Sequence, residues 1–286
     1  MIDVRLVTCA QLPAHDPDTP IIAGALQAQD VSVDIANWRD GAVDWADARV
    51  TLIRSPWDYV DGRDEFVAWA YKVAPQTSLW NPAPLLEWNT HKAYLLDVAA
   101  CGAPTVPTVV LLRESAAALD GICDAQGWNA VVVKPAVGIG AGGAARFDVG
   151  DASGQAHLDE LLAHGDVLVQ PYVASVERDG ELSVVCFDGV ASHAVRKVPQ
   201  PGEYRVQEQY GGVNRVVDAP AGAAELAARV CALLPSRPCY ARIDMLASPA
   251  GWQIIEVEAT EPSLFLDLAG ERATNAMVRA ITARLR

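Results

Sequence analysis

The sequence predicts an α/β region built on a small parallel sheet, followed by an α+β region that contains hairpins. Three observations support this prediction. Strand and helix patterns alternate through the first ninety residues, as is typical of parallel sheets with helices on their faces. The two prolines of WNPAPLLEW then interrupt the alternation. The rest of the chain contains a glycine-rich hairpin and a second hairpin that carries carboxylates, so we place a domain boundary near residue 89.

In the first region the predicted strands are VRLVTCA, VSVDIANW and RVTLIRS, and the predicted helices are PIIAGALQAQ and RDEFVAWAYKVA. Ligands of such sheets bind at the carboxyl ends of the strands. The stretch RSPWDY lies there, directly after a strand that we expect to end near Ile53. A structural turn begun by Ser-Pro is one interpretation. The other is a substrate-binding loop with the side chains Arg54, Ser55, Trp57, Asp58 and Tyr59.

The second region begins with a predicted helix in NTHKAYLLDVAACGAP, for which Asn89 or Thr90 is the expected N-cap. The elements that follow are strand PTVVLL, helix SAAALDGICDAQG, strand NAVVVKPA, a glycine-rich loop, strand AARFDV, helix QAHLDELLAHG and strand DVLVQPYV. The last third predicts strands ELSVVCFDG and VASHAVRKV, helix AAELAARVCALL, a hairpin and a closing helix, ERATNAMVRAITARLR. We expect domains at residues 1–89, 90–167 and 168–286.

Composition narrows the classes of partner. The chain has 286 residues and a formal net charge of -14, and its lysines and arginines form no cluster. Both features argue against nucleic acid or an anionic membrane as the main partner. No signal peptide or membrane span is apparent, so we expect a cytoplasmic protein. The cysteines lack a CxxC spacing and are expected to be reduced thiols.

The loop GIGAGG, residues 138–143, matches the pattern GxGxxG. A dinucleotide fingerprint needs a helix directly after the glycines, whereas AARFDV continues as a strand. This excludes a dehydrogenase-type site, and the absence of a following GK[ST] excludes a Walker A loop. The pattern favours a hairpin tip whose backbone N–H groups can close over phosphates. A mobile surface hairpin is the alternative.

Lys134 lies just before this loop, at the end of the apolar strand VVVKP. A lysine in that position either extends to solvent or directs its charge into a site. The adjacent glycine loop favours the site. Lys92, in the amphipathic helix after residue 89, is by itself an ordinary surface lysine.

The last hairpin places three acids, Asp244, Glu256 and Glu258, on otherwise apolar runs. If residues 249–251 form a three-residue loop, Asp244 lies opposite Glu256 and Arg242 opposite Glu258. The three acids then share one face. The other face is expected to be apolar, with Ile243, Met245, Ile255 and Val257. Facing carboxylates without Cys or His favour Mg²⁺ or Mn²⁺. A solvated face partly neutralised by Arg242 is the alternative.

The order of four sequence features resembles that of the ATP-grasp ligases. The features are a lysine at a domain start, VVVKP with a glycine-rich hairpin, a VLVQPYV strand and an Asp…Glu-x-Glu hairpin. The resemblance covers residues 90–286, and the first ninety residues resemble the Rossmann-like pre-ATP-grasp domain. It implies that ATP lies between two lobes, with its phosphates on Lys92 and Lys134. The implied lid glycines are Gly138, Gly140, Gly142 and Gly143. The implied adenine and ribose contacts are Gln170, Pro171, Tyr172, Val173 and Glu181.

The same resemblance implies that Asp244, Glu256 and Glu258 bind Mg²⁺, with Mn²⁺ as the alternative. Glu258 departs from the family pattern, in which this position is usually Asn. Arg196 and Arg205 match basic positions that face the γ-phosphate and the acyl intermediate, although both also fit surface arginines.

The activity implied is ATP-dependent activation of a small amino-acid carboxylate as an acyl phosphate, with release of ADP and phosphate, followed by attack of a nitrogen nucleophile. RSPWDY, NTHKAYL and EVEATEPSLF resemble a branch of small single-chain ligases that includes an enzyme of antibiotic biosynthesis, which cyclises O-ureido-D-serine. The resemblance therefore implies this cyclisation as the specific reaction. An intermolecular carboxylate–amine ligase, a carboxylate kinase and a non-catalytic nucleotide-binding regulator are the alternatives. The expected partner is an amino acid, and a homo-oligomer is left open.

Overall fold

Three β-sheets organise residues 1–12 and 14–285, the part of the chain that the computed structural model describes. The strands are β1 (Ile2–Thr8), β2 (Val33–Asn37), β3 (Ala48–Ser55), β4 (Ser78–Trp80), β5 (Val109–Leu111), β6 (Ala130–Pro135), β7 (Ala145–Asp148), β8 (Val167–Pro171), β9 (Glu181–Phe187), β10 (Val190–Val198), β11 (Val213–Val217), β12 (Tyr240–Ser248) and β13 (Gly251–Glu258). The helices are α1 (Asp18–Gln27), α2 (Arg63–Val73), α3 (Ala83–Asn89), α4 (Tyr94–Ala100), α5 (Leu119–Gln126), α6 (Ala152–His164), α7 (Ser175–Asp179), α8 (Ala223–Leu233) and α9 (Leu266–Thr282).

The first sheet is parallel, in the order β2-β1-β3-β4. Its strands alternate between two apolar faces. Leu6 and Leu52 pack with α1 and the C-terminal helix α9, whereas Val7 and Ile53 pack with Phe66 of α2. The predicted α/β region is therefore present, and the last helix of the chain completes its core.

The central sheet is antiparallel, in the order β5-β8-β6-β7. Val131, Val133 and Val169 pack on one face with Leu158 of α6 and Cys123 of α5. The glycine-rich loop joins β6 to β7, so strand, loop and strand form the hairpin that the sequence predicted. The predicted boundary between residues 167 and 168 lies inside β8, which pairs on both sides within this sheet.

The third sheet is antiparallel, in the order β11-β10-β9-β12-β13. One face is apolar, and residues such as Val184 and Ile243 pack there with α4 and α8. On the other face Val185 and Val195 pack against α9. The same face becomes ionic further along β9, β10 and β12, at Lys197 and Asp244. This change from apolar to ionic side chains on one face positions the site.

The carboxylate hairpin has the predicted pairs, Asp244 with Glu256 and Arg242 with Glu258. Its turn differs from the prediction, because Ser248 pairs with Gly251 and the loop is therefore two residues long. A register shift after Asp244 compensates for the shorter loop. As a result Ile254 joins the apolar core, and Ile255, which was expected there, packs beside the cavity described below.

The largest corrections to the predicted elements surround residue 89. The stretch that contains two prolines forms α3, with Pro82 at its N-cap position and Pro84 in its first turn. Asn89 belongs to α3, and Ala93 is the N-cap residue of α4, so the expected caps at Asn89 and Thr90 are wrong. Strand β3 also continues to Ser55, two residues beyond Ile53.

None of the helices in residues 1–12 and 14–285 is both long and apolar enough to cross a membrane. The cysteines within these residues are all free thiols, as expected.

Candidate active site

A cavity of about 770 Å³ lies where the three sheets meet. Its walls come from the glycine hairpin, the end of β8, the ionic face of the third sheet and the turn that follows β3. These are the segments in which the sequence placed most candidate residues. Those that line the cavity are Trp57, Tyr59, Lys92, Lys134, Gly138, Gly140, Gly142, Gln170, Pro171, Tyr172, Val173, Glu181, Arg205, Asp244, Glu256 and Glu258.

The three hairpin acids converge on one point of this cavity. One carboxylate oxygen from each of Asp244, Glu256 and Glu258 lies within 4.8 Å of the others. Asp244 is 1% exposed, so its charge is removed from water. A divalent cation could be held by this set, because hard carboxylate oxygens at such a separation suit Mg²⁺ or Mn²⁺.

Protein cations answer the same acids. Arg242 Nε and Nη2 donate to Asp244 Oδ1 and Oδ2 at 3.0 and 2.9 Å, and Nη2 also donates to Glu258. Lys197 Nζ lies 2.9 Å from Asp244 Oδ2 and contacts Glu181. Lys92 Nζ lies 3.2 Å from Glu256 Oε1. The acids are therefore buried in ion pairs, which offset the cost of removing carboxylates from water.

These contacts divide the pKa values of the acids. Burial opposes ionisation of Asp244, but the charges of Arg242 and Lys197 outweigh it and hold the pKa of Asp244 well below its usual range. At Glu256 the charge of Lys92 likewise overcomes burial and lowers the pKa. Burial dominates at Glu258 and raises its pKa to about 8. The set therefore combines two ionised carboxylates, Asp244 and Glu256, with a third, Glu258, whose pKa burial raises close to neutral pH.

The glycine hairpin closes one end of the cavity. Lys92 Nζ donates to the carbonyl of Gly138. Gly140 and Gly143 have positive φ angles of 58° and 71°, which glycine adopts without strain. A Cβ on Gly143 would lie 2.9 Å from Pro135. Gly143 is absent from the described cavity wall, so its contribution is to the shape of the hairpin.

Lys134 lines the cavity beside this hairpin. Among the described residues it has no ion-pair partner within 4 Å. Burial lowers the pKa of its ammonium group. A half-buried, unpaired cation next to a loop of backbone N–H groups is suited to binding phosphate.

The end of β8 and the start of β9 form the opposite wall. Gln170 is buried, and its side chain donates to Thr108 Oγ1 at 2.9 Å. Pro171, Tyr172 and Val173 follow along the cavity. Burial raises the pKa of Glu181, which contacts Lys197, to about 7.

The loop after β3 divides into two groups. Trp57 and Tyr59 line the cavity, and Trp57 Nε1 donates to the carbonyl of Glu261 at 3.1 Å. Arg54, Ser55 and Asp58 lie outside the described cavity wall. For Arg54 and Ser55 the reason is that β3 extends through both residues and buries them.

Each of these three has a contact elsewhere. Arg54 Nη2 donates to the carbonyl of Pro262 at 3.0 Å and lies 3.7 Å from Asp18. Ser55 Oγ lies 3.0 Å from Thr8 Oγ1. Asp58 accepts from Trp38 Nε1 at 2.6 Å.

The two predicted arginines also separate. Arg205 lines the cavity, stacks 3.8 Å over the ring of Tyr210 and forms a two-point ion pair with Glu203. Arg196 instead donates to the carbonyl of Asp179 at 2.6 Å and is not brought to the cavity wall. Because adjacent strand residues point to opposite faces, its neighbour Lys197 enters the site.

Comparison with known proteins identifies the family. A family model described as the ATP-grasp domain of prokaryotic glutathione synthetase matches residues 99–271. A model described as the N-terminal domain of D-cycloserine synthetase DcsG matches residues 4–81. The cycloserine biosynthesis protein DcsG of Streptomyces lavendulae is 34% identical over 301 aligned residues, which cover 99% of each chain. The chain belongs to the ATP-grasp ligases.

Solved structures agree with this assignment. The crystal structure of D-cycloserine synthetase DcsG is 32% identical and has a TM-score of 0.89, with 99% of both chains covered. D-alanine–D-alanine ligase from Bacillus anthracis shares the ATP-grasp fold, with a TM-score of 0.68, 15% identity and 99% coverage of both chains. The ATP-grasp ligase PsnB, solved with Mg and ADP, has a TM-score of 0.69 at 14% identity and covers 100% of this chain and 99% of its own.

As an ATP-grasp ligase the chain is an ATP-dependent enzyme that forms C–N bonds and releases ADP. Members of the family bind ATP and a divalent metal ion. The predicted fold, with a Rossmann-like domain before the ATP-grasp region, and the predicted class of enzyme are confirmed.

The charged cavity residues that the sequence did not assign to the site include Lys197, Arg242 and Glu261. Cross-strand pairing could have indicated Lys197, because it lies directly opposite Glu181. Arg242 shares a strand face with Asp244, two residues away, and was considered only as a neutralising charge. Glu261 lies in an irregular segment after β13, where no periodic pattern applies.

Proposed function

We propose that the chain uses ATP to phosphorylate the carboxylate of O-ureido-D-serine, and that a nitrogen of the same molecule closes the ring of D-cycloserine. The observation that carries the proposal is the cavity in which three carboxylates meet three cations. It lies in a chain 34% identical, over 99% of its length, to a cycloserine biosynthesis protein. This would make the enzyme part of antibiotic biosynthesis.

The nucleotide is proposed to lie between the central and third sheets. Lys92 and Lys134 would bind phosphate oxygens, and the N–H groups of residues 138–143 would close over them. The backbone of residues 170–173 would hold adenine, and Glu181 would accept from the ribose hydroxyls. The unpaired charge of Lys134 in the cavity wall supports this orientation.

The metal is proposed to be Mg²⁺, with Mn²⁺ as the alternative, held by Asp244, Glu256 and Glu258. The fit rests on the three carboxylate oxygens within 4.8 Å and on the absence of His or Cys from the group. Because Arg242 already bonds two of these acids, a cation must compete with its guanidinium. When bound, the metal neutralises phosphate charge during transfer.

Arg242 and Lys197 are proposed to stabilise the negative charge that develops as phosphate moves to the substrate. Both are buried, and at low dielectric a fixed cation stabilises such charge strongly. Arg205 would contribute from the cavity rim. We propose that Lys197 takes the place that the sequence assigned to Arg196.

The bond changes balance as follows. A carboxylate oxygen attacks the γ-phosphorus and ADP leaves. The nitrogen attached to the ureido oxygen then attacks the acyl carbon, forms the C–N bond of the ring and expels phosphate with loss of its proton. One water finally removes the carbamoyl group as carbon dioxide and ammonia. Closure of the glycine hairpin would keep water from the acyl phosphate before the ring has formed.

We further propose domains at residues 1–89, 90–173 and 174–286. The first boundary coincides with the end of α3. The second is placed after β8 instead of before it, because β8 lies between β5 and β6 in the central sheet.

The test is turnover of Mg²⁺-ATP with O-ureido-D-serine, following ADP, phosphate and D-cycloserine. We expect equal amounts of ADP and D-cycloserine, no activity after chelation of the metal, and loss of activity in Glu256→Gln. Glu225→Gln, on the exposed side of α8, is the control. ADP that appears only after an amine is added would replace cyclisation by intermolecular ligation. AMP as the product would contradict the acyl-phosphate route.

A further inference from the structure

Glu261 is a buried carboxylate of the cavity wall to which the roles above give no function. Its side chain is 9% exposed and lines the cavity. It follows Glu258 by three residues, and three residues span at most about 10 Å. Glu261 therefore lies near the three acids that are proposed to hold the metal beside the reacting phosphate.

Glu261 differs from the other buried or half-buried acids of the cavity wall, because each of those acids forms an ion pair. Glu256 pairs with Lys92, Glu181 with Lys197, and the remaining members with Arg242 or Arg54. Within the described residues, Glu261 has no cation within 4 Å. A carboxylate buried without a cation is destabilising, so its presence in a cavity suggests a functional reason.

The backbone around Glu261 is held firmly although it is neither helix nor strand. Four consecutive carbonyl oxygens, those of residues 260–263, each accept a hydrogen bond from a side chain. The donors are Tyr240 to Thr260 at 2.8 Å, Trp57 to Glu261 at 3.1 Å, Arg54 to Pro262 at 3.0 Å and Arg242 to Ser263 at 3.1 Å. Such support fixes the backbone that carries the Glu261 side chain, as binding sites require.

The chemistry of the missing partner follows from charge. The phenol of Tyr59 lines the same cavity as a neighbour of the Glu261 carboxylate, and burial raises the pKa of Glu261 to about 7. A nucleotide phosphate would be repelled by this acid. A protonated amine would supply the absent positive charge together with N–H donors.

We propose that Glu261 binds the protonated amino group of the amino-acid substrate, and that Tyr59 orients the carboxylate of Glu261. In an α-amino acid the amino group is one carbon away from the carboxylate. A residue close to the metal-binding acids is thus in a suitable place to select it. This inference rests on the proposed function, which it deepens by naming the residue that distinguishes an amino acid from a simple carboxylic acid.

The experiment compares O-ureido-D-serine with 3-(ureidooxy)propanoate, which has hydrogen in place of the amino group. For the native enzyme we expect kcat/KM for ADP release to be about 10- to 100-fold higher with the amino acid, as for a charge-assisted hydrogen bond. Glu261→Gln should raise KM for the amino acid by a similar factor and remove the preference. KM for ATP should stay within about twofold. Tyr59→Phe should show a smaller loss of preference.

Glu225→Gln removes an exposed acid of α8 outside the cavity wall and is the control, with native preference expected. Thermal unfolding of each variant separates misfolding from loss of binding. Native preference in a folded Glu261→Gln variant would overturn the inference and leave the proposed function intact.

Failure of the proposed substrate gives a different result. If O-ureido-D-serine releases no ADP but another amino acid does, the comparison is repeated with that amino acid and its deamino form. Loss of preference in Glu261→Gln would then support the inference, and only the proposed substrate would be wrong. If no amino acid releases ADP, both proposals are overturned.

Discussion

Glu261→Gln is expected to stabilise the folded protein, and to do so increasingly as the pH rises. Burial raises the pKa of Glu261 from 4.5 to about 7. Between these values the folded protein holds a proton that the unfolded chain releases. Raising the pH therefore favours the unfolded chain. Glutamine does not titrate, so the variant escapes this loss.

The magnitude follows from the shift in pKa. One pKa unit corresponds to about 1.4 kcal/mol, so a shift of about 2.5 units gives roughly 3 kcal/mol between pH 4.5 and pH 7. Below pH 4.5 the difference in free energy of unfolding between the variant and the native protein should not depend on pH. Above about pH 7 this difference should again be independent of pH. Several kilocalories is a large fraction of the stability of an ordinary domain.

The assay is urea unfolding of the metal-free protein at pH 5, 6, 7 and 8, followed by tryptophan fluorescence. The free energy of unfolding of Glu261→Gln, relative to the native protein, should rise by about 2 to 3 kcal/mol across this range. Asp267→Asn, which changes an exposed acid, should track the native protein at every pH. A difference that is flat between pH 5 and pH 8, or that shrinks, would refute the reasoning.

Three further variants test other contacts. Lys197→Met leaves two buried carboxylates without their lysine and should lower the free energy of unfolding, measured in urea, by about 3 to 5 kcal/mol. The same variant should release ADP more slowly than the native enzyme. Asn89→Ala removes three buried hydrogen bonds and should cost about 2 to 4 kcal/mol in urea unfolding, whereas the exposed Asn129→Ala should cost little. Gly143→Ala meets a proline at 2.9 Å and should raise KM for ATP in steady-state assays, whereas Gly165→Ala, which has open space, should not.

Local patterns predicted most of the fold because most elements carry a clear periodicity. The parallel sheet, the glycine hairpin and the facing pair Asp244–Glu256 all follow from alternation and turn residues. The same rules failed where a residue that usually interrupts a helix stands at a helix start. The prolines of WNPAPLLEW were interpreted as a break, yet Pro82 and Pro84 occupy the start of α3, where a missing N–H costs nothing.

The site was harder to predict because its geometry depends on contacts between distant segments. In HAVRKV both Arg196 and Lys197 are cations, and alternation alone places one of them in the site without saying which. Only the pairing of β10 with β9 decides, by setting Lys197 opposite Glu181. Glu261 could not be found at all, since its position depends on donors from four distant residues and on no local pattern.

The hydrogen bonds that hold residues 260–263 have a consequence for recombination among relatives. Arg54 and Trp57 donate to this segment, and Asn81 donates to the carbonyls of Tyr240 and Ala259. A chimaera that exchanged the N-terminal region without these donors would leave buried carbonyls unpaired next to the active site. We therefore expect that the N-terminal region and the segment after β13 must be exchanged together, because exchange of either alone would leave these carbonyls without their donors.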